Sequence, residues 1–119
     1  MSTPSGSYKD IALETTQNNL RDFAREATYV KGFLPQSFAD APLPSGIVWL
    51  HIDLNAATPT AAALETLYDR MPPGAVILFD DYGWHAYRDT KRAIDVFAEG
   101  KRGLLLPVPT GQAMFFKHG

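Results

Sequence analysis

Cysteine does not occur among the 119 residues, which excludes disulfides, thiolate metal sites and a cysteine nucleophile together. A chain without disulfides fits a cytoplasmic location. No apolar run approaches the roughly 20 residues of a membrane-spanning helix. The opening MSTPSGSYKD is polar, unlike a signal peptide, so no membrane partner is expected. Eleven Lys and Arg against 13 Asp and Glu leave a formal charge of −2. That balance lacks the basic footprint of a phosphate-backbone binder, and nucleic acid is not expected as a partner. The glycines form neither a G-x-G nor a G-x-x-x-x-G-K-[ST] loop, and no G-x-S-x-G elbow occurs. Phosphate-cradling loops and a serine-hydrolase nucleophile are thereby set aside.

What is present is an ordinary globular composition, 45% hydrophobic and 20% charged. A chain of this length suggests one domain, able to bury roughly two-thirds of its unfolded surface. Residues 1–7 are small and polar and read as a disordered tail, leaving 8–119 as a single domain. From Tyr8 to Ala27, Leu13, Leu20, Phe23, Ala24 and Ala27 recur at helical spacing. TYVKG (28–32) reads as a short strand, and the three prolines of 33–46 make that segment a loop. IVWLHID (47–53) is a strand. TPTAAALETLYDRM (58–71) is a helix, with Thr58 as N-cap and Pro59 at its first helical position. AVILFD (75–80) is the next strand, and Tyr87, Ile94, Phe97 and Ala98 mark a helix over 86–99. GLLLPVP and QAMFFK read as an antiparallel hairpin turning at Thr110–Gly111. Apolar strands alternating with helices predict an α/β fold, a mostly parallel sheet with helices on both faces.

The stretch AVILFDDYGWH carries the chemistry. In open parallel sheets ligands gather at the carboxyl ends of the strands, and two successive strands end there on acid, Asp53 and the pair Asp80–Asp81. A strand-end aspartate commonly caps a helix or closes a turn. Three of them at neighbouring strand ends would repel one another strongly unless a cation or proton lay between them. An all-oxygen ligand set suits Mg²⁺ or a similar hard divalent ion. Asp80 and Asp81 can share a site only if the strand stops between them, since strand side chains alternate in direction. His51, on the face of Trp49 and Asp53, reads as a hydrogen-bonded core residue, whereas His85 beside the aspartates is the candidate for substrate contact.

The run WLHIDLNAATPTAAALETLYDRMPPGAVILFDDYGWHAY resembles the C-terminal half of class I S-adenosylmethionine-dependent methyltransferases, close to the macrocin O-methyltransferase-like group. That group carries a strand ending H/R-hydrophobic-D, an LxxLYxRLxPGG-like helix exit and a strand ending DDYG. They appear here as HID, ALETLYDRMPPGA and FDDYG. The ending PTGQAMFFK is similar to the closing strand of a subgroup ending LPTGQ…K. The resemblance implies a partial Rossmann-like sheet and S-adenosylmethionine as cofactor. It implies Asp53, Asp80 and Asp81 as metal ligands for Mg²⁺ or a like cation, and Asp53 as general base toward a small hydroxylated acceptor. Gly32 and Phe33 fall where the family holds the adenine. Asn55 stands where many members have aspartate.

The family's first strand, glycine-rich cofactor loop and ribose-binding acid would all precede Met1, so the expectation is a truncated domain. Residues 47–53 would then form an open strand edge, a template for self-association. Two alternatives accompany this reading. One is a non-catalytic interaction or oligomerisation module. The other is a phosphatase of haloacid-dehalogenase type, disfavoured because the amide of Asn55 replaces the general acid.

Overall fold

The computed structural model describes residues 13–22, 27–30, 32–39, 41–83 and 88–119. The expected tail at 1–7, together with Trp84, His85 and Tyr87, lies outside the described residues. The chain divides into two compact units, Met1–Phe33 and Leu34–Gly119. In the first, helix α1 (Leu13–Leu20) has no buried residue, so the described part of the apolar stripe is not a core face. Residues 27–30 form no strand, contrary to the reading of TYVKG, and Gly32 makes a bend at φ 146°.

The second unit holds one four-stranded sheet. Its elements run β1 (Trp49–Ile52), α2 (Ala57–Leu67), β2 (Val76–Phe79), α3 (Arg88–Glu99), β3 (Gly103–Pro107) and β4 (Ala113–Lys117), with a 3-10 turn at Tyr68–Arg70. The order across the sheet is β1-β2-β4-β3. Strands β1 and β2 are parallel, from Trp49↔Val76 to Ile52↔Phe79. β4 pairs antiparallel with both β2 and β3. The closing hairpin is as expected. The sheet is mixed rather than mostly parallel, because the hairpin supplies two of its three pairings and no strand forms at 27–30.

Alternation along the strands decides the core. Ile52, Ile77, Phe79, Ala113 and Phe115 point to one face and are buried against Leu64, Tyr68 and Ile94 of the helical layer. Helices α2 and α3 pack on each other and share that face. Tyr68, Phe97 and Phe115 meet edge to face, with ring centroids 5.1 to 6.3 Å apart. Lys117 ends β4 by donating Nζ–H bonds to the carbonyls of Tyr68 (3.0 Å) and Met71 (2.6 Å). Those carbonyls lie at the end of the α2 segment, where helix acceptors lose their intrahelical partners. The charge is therefore useful at that spot.

Helix α2 starts earlier than the Thr58 cap implies. Ala56 is the N-cap residue, extended and without a side-chain bond, and Pro59 is the third helical residue. Proline is tolerated there because the first-turn N–H groups have no intrahelical acceptor. The buried Thr60 hydroxyl donates back to the Ala56 carbonyl at 2.7 Å.

At Gly103 the β3–β4 pair leaves no room for a side chain. A Cβ there would collide with the Phe115 ring and the Phe116 carbonyl oxygen. Gly103→Ala is expected to cost about 1–3 kcal/mol through forced repacking. Thermal or urea melting checks this, and an unchanged midpoint would contradict it.

Candidate functional site

Parallel pairing carries both strands to the same rim. The Asp80 N–H donates to the Ile52 carbonyl at 3.0 Å, continuing the ladder one residue past Phe79. The next residue of each chain segment then lies at the sheet's carboxyl edge. Strand β2 stops at Phe79, and residues 80–83 are a turn. The early stop removes the alternation that would have sent Asp80 and Asp81 to opposite faces. One carboxylate oxygen from each of Asp53, Asp80 and Asp81 lies within 4.8 Å of the others. Asp53 is exposed, while Asp80 and Asp81 are half-buried.

Charges this close cost on the order of 1–4 kcal/mol per pair, according to how far solvent screens them. Against a typical total stability of about 5–15 kcal/mol, that is a substantial load. Burial, then repulsion from Asp53 and Asp80, pushes the Asp81 carboxyl above its ordinary range. Its Oδ2 atom is buried and has no hydrogen-bond partner. A clustered, oxygen-only donor set with one buried unpartnered oxygen fits a hard divalent cation.

Asp80 is held from two sides. Gln112 Nε2 donates to Asp80 Oδ1 at 2.9 Å, and His51 Nε2 lies 3.6 Å from the same oxygen. His51 is thus exposed at the site's edge rather than in the core, because it points away from the face of β1 that buries Ile52. Tyr82 is buried and donates to Asp95 Oδ1 of α3, whose other oxygen accepts from Lys91 at 2.8 Å. Burial alone would raise the Asp95 carboxyl, but the bonds from Lys91 and Tyr82 outweigh it and hold it below its usual range. This clamp secures the DDYG turn to α3. Asn55 adopts φ 55°, a left-handed conformation that asparagine and aspartate tolerate best among side-chain-bearing residues.

The structure therefore brings together Asp53, Asp80 and Asp81. Gly32 and Phe33 belong to the other compact unit, with Phe33 84% exposed. His85 is outside the described residues. Gln112 was missed as a site residue. The signal for it was register, since continuing the Phe79↔Ala113 pair by one step puts Gln112 opposite Asp80.

Two solved structures are similar in fold. The structure of the O-methyltransferase NovP matches with a TM-score of 0.78 and 18% identity, over 91% of this chain and 46% of that one. CalS11, a TDP-rhamnose 3'-O-methyltransferase of calicheamicin biosynthesis, matches with a TM-score of 0.54 and 22% identity, over 73% of this chain and 37% of that one. The fold is that of a methyltransferase, and the chain spans less than half the length of these two neighbours. The family model for macrocin O-methyltransferase (TylF) matches residues 4–110, and the chain belongs to that family. No curated protein matches it. Neither the family nor these neighbours is a phosphatase. Among the described residues no helix is long and apolar enough to cross a membrane.

The raised Asp81 group has a signed consequence. Its protonated form is favoured by folding, so stability falls as pH rises from the ordinary carboxylate range through the raised value. Asp81→Asn lacks this loss. With chelator present, the variant is expected to melt above wild type at neutral pH and to converge with it in acid. A variant equally or less stable at neutral pH would contradict the mutual repulsion.

Proposed function

We propose that this chain is the acceptor-side portion of an S-adenosylmethionine-dependent, metal-assisted O-methyltransferase acting on a small hydroxylated molecule. The observation that carries the reading is the convergence of Asp53, Asp80 and Asp81 with an unpartnered, buried Asp81 oxygen. Family membership supports the methyl-transfer class. In this reading the three aspartates hold Mg²⁺ or a similar ion, which when bound lowers the pKa of an acceptor hydroxyl. Asp53, the most exposed of the three, accepts that proton while the acceptor oxygen bonds to the methyl carbon and the carbon–sulfur bond breaks. Asp80 and Asp81 stay ionised and fix the ion. His85 contacts the acceptor, and Gly32 and Phe33 meet the adenine. The protein works in the cytoplasm, consistent with a chain free of cysteine.

Calorimetric titration with Mg²⁺ and S-adenosylmethionine, separately and together, tests this. Mg²⁺ is expected to bind and to raise the melting temperature, and Asp53→Asn to abolish methyl transfer by any active form of the protein. Full transfer by Asp53→Asn would remove the general-base role, and absence of Mg²⁺ binding would remove the metal.

Self-association through residues 47–53 belongs to the same proposal. Strand β1 is an edge of the sheet, and Val48 and Trp49 are 66% and 54% exposed. The carbonyls of Val48 and Ile52 serve β2, which turns the main-chain groups of Trp49 and His51 to the open side. Light scattering is expected to show a dimer or larger species that Trp49→Lys shifts toward monomer, because charge blunts an open edge. A wild-type monomer at high concentration would sink this part.

A further inference from the structure

We propose that Gln112 is a positioning residue for the cation site, locking the rotation of the Asp80 carboxylate while leaving its charge intact. The inference rests on the metal reading of the three aspartates. Antiparallel register carries Gln112 to its place, one step beyond the Phe79↔Ala113 pair and so across from Asp80. The amide's sense is set by Thr110, whose hydroxyl donates to Gln112 Oε1 at 2.9 Å. With the oxygen engaged there, the Nε2 side faces Asp80 and donates to Oδ1 at 2.9 Å. A neutral donor suits this position. It fixes the carboxylate's orientation, whereas a lysine or arginine would cancel the charge that attracts a cation.

The main chain around Gln112 is held as firmly as the side chain. The Gln112 carbonyl accepts from the Val108 N–H at 2.9 Å, closing the hairpin loop. Gly83 N–H donates to the Gly111 carbonyl at 2.7 Å, tying the DDYG turn to the hairpin tip. A Cβ on Gly83 would come within 3.2 Å of the Gly111 Cα, so the two turns touch backbone to backbone. Gly111 itself sits at φ 86°, which favours glycine. Two loops distant in sequence thus form one frame, in which Thr110 orients Gln112 and Gln112 orients Asp80. Outer partners of this kind typically govern metal affinity by about 10–100-fold.

Mn²⁺ titration followed by calorimetry or by loss of the free-ion magnetic resonance signal tests the inference without any turnover. Gln112→Ala is expected to weaken Mn²⁺ binding about tenfold while the melting temperature in chelator stays near that of wild type. Thr110→Val, which touches no carboxylate, is expected to weaken it in the same direction, and Thr110→Ser to restore it. Binding by Gln112→Ala within twofold of wild type overturns the positioning role. If Gln112→Ala is poorly folded, the Thr110 pair decides, and equal Mn²⁺ affinity for Thr110→Val and Thr110→Ser overturns it. A wild-type protein that binds no Mn²⁺ fails the carboxylate reading itself, and the inference with it. That result is distinct from retained binding in the variants.

Discussion

The main-chain bond from the Asp80 N–H to the Ile52 carbonyl oxygen, 3.0 Å long, sets the rest of the site. It fixes the parallel register of β1 and β2, and with it the level at which both strands run out. Had the register slipped by one residue, the buried and exposed faces of β1 would have exchanged. Asp53 would then have lost its place beside the pair at 80–81. Ile52 and Phe79 guard against that slip, since both belong to the buried core just before the acids begin.

Around that rim the protein organises negative charge instead of dispersing it. Asp81 carries a buried, unpartnered oxygen and a raised pKa, a state that favours a proton or a cation nearby. Asp95, half-buried on α3, shows the opposite arrangement, with both oxygens bonded and its ionised form favoured. Two acids of similar burial thus differ in kind. Bonds from Tyr82 and Lys91 make Asp95 a structural fastening, while one oxygen of Asp81 is buried with no hydrogen-bond partner. The fastening also serves Asp81, because Tyr82 follows it directly and anchors its turn to α3.

The two faces of the sheet are covered unequally by the described residues of this unit. One face is closed by α2 and α3, by the aromatic trio and by the Lys117 bonds that join β4 to the end of the α2 segment. The other face carries Trp49, Leu104 and Leu106 exposed at its two margins, and β1 is an edge. The solved methyltransferases similar to this chain are more than twice the length it spans in them. An open strand edge of this kind leaves main-chain donors and acceptors free to pair with another strand.

Much of this was legible from residue order alone. The strands around 49–52, 76–79, 103–107 and 113–117 followed from apolar runs bounded by Gly, Pro and Asp, and the site aspartates from their place at two strand ends. Local chemistry sufficed because those signals act over a few residues. TYVKG was misread because β-propensity depends on context, and residues 27–30 form no strand. His51 was misplaced because its burial depends on what covers its face of the sheet. Gln112 escaped notice because it lies 32 residues from Asp80 in sequence. By itself, the sequence determined the α/β class, the acids at the strand ends and the family likeness. Tertiary structure alone decided that β4 runs beside β2, that the turns at Gly83 and Gly111 touch, and that Asp80 has an amide for a neighbour. Strand order and loop contact are long-range choices, set by which buried faces fit together, and no short stretch of chain encodes them.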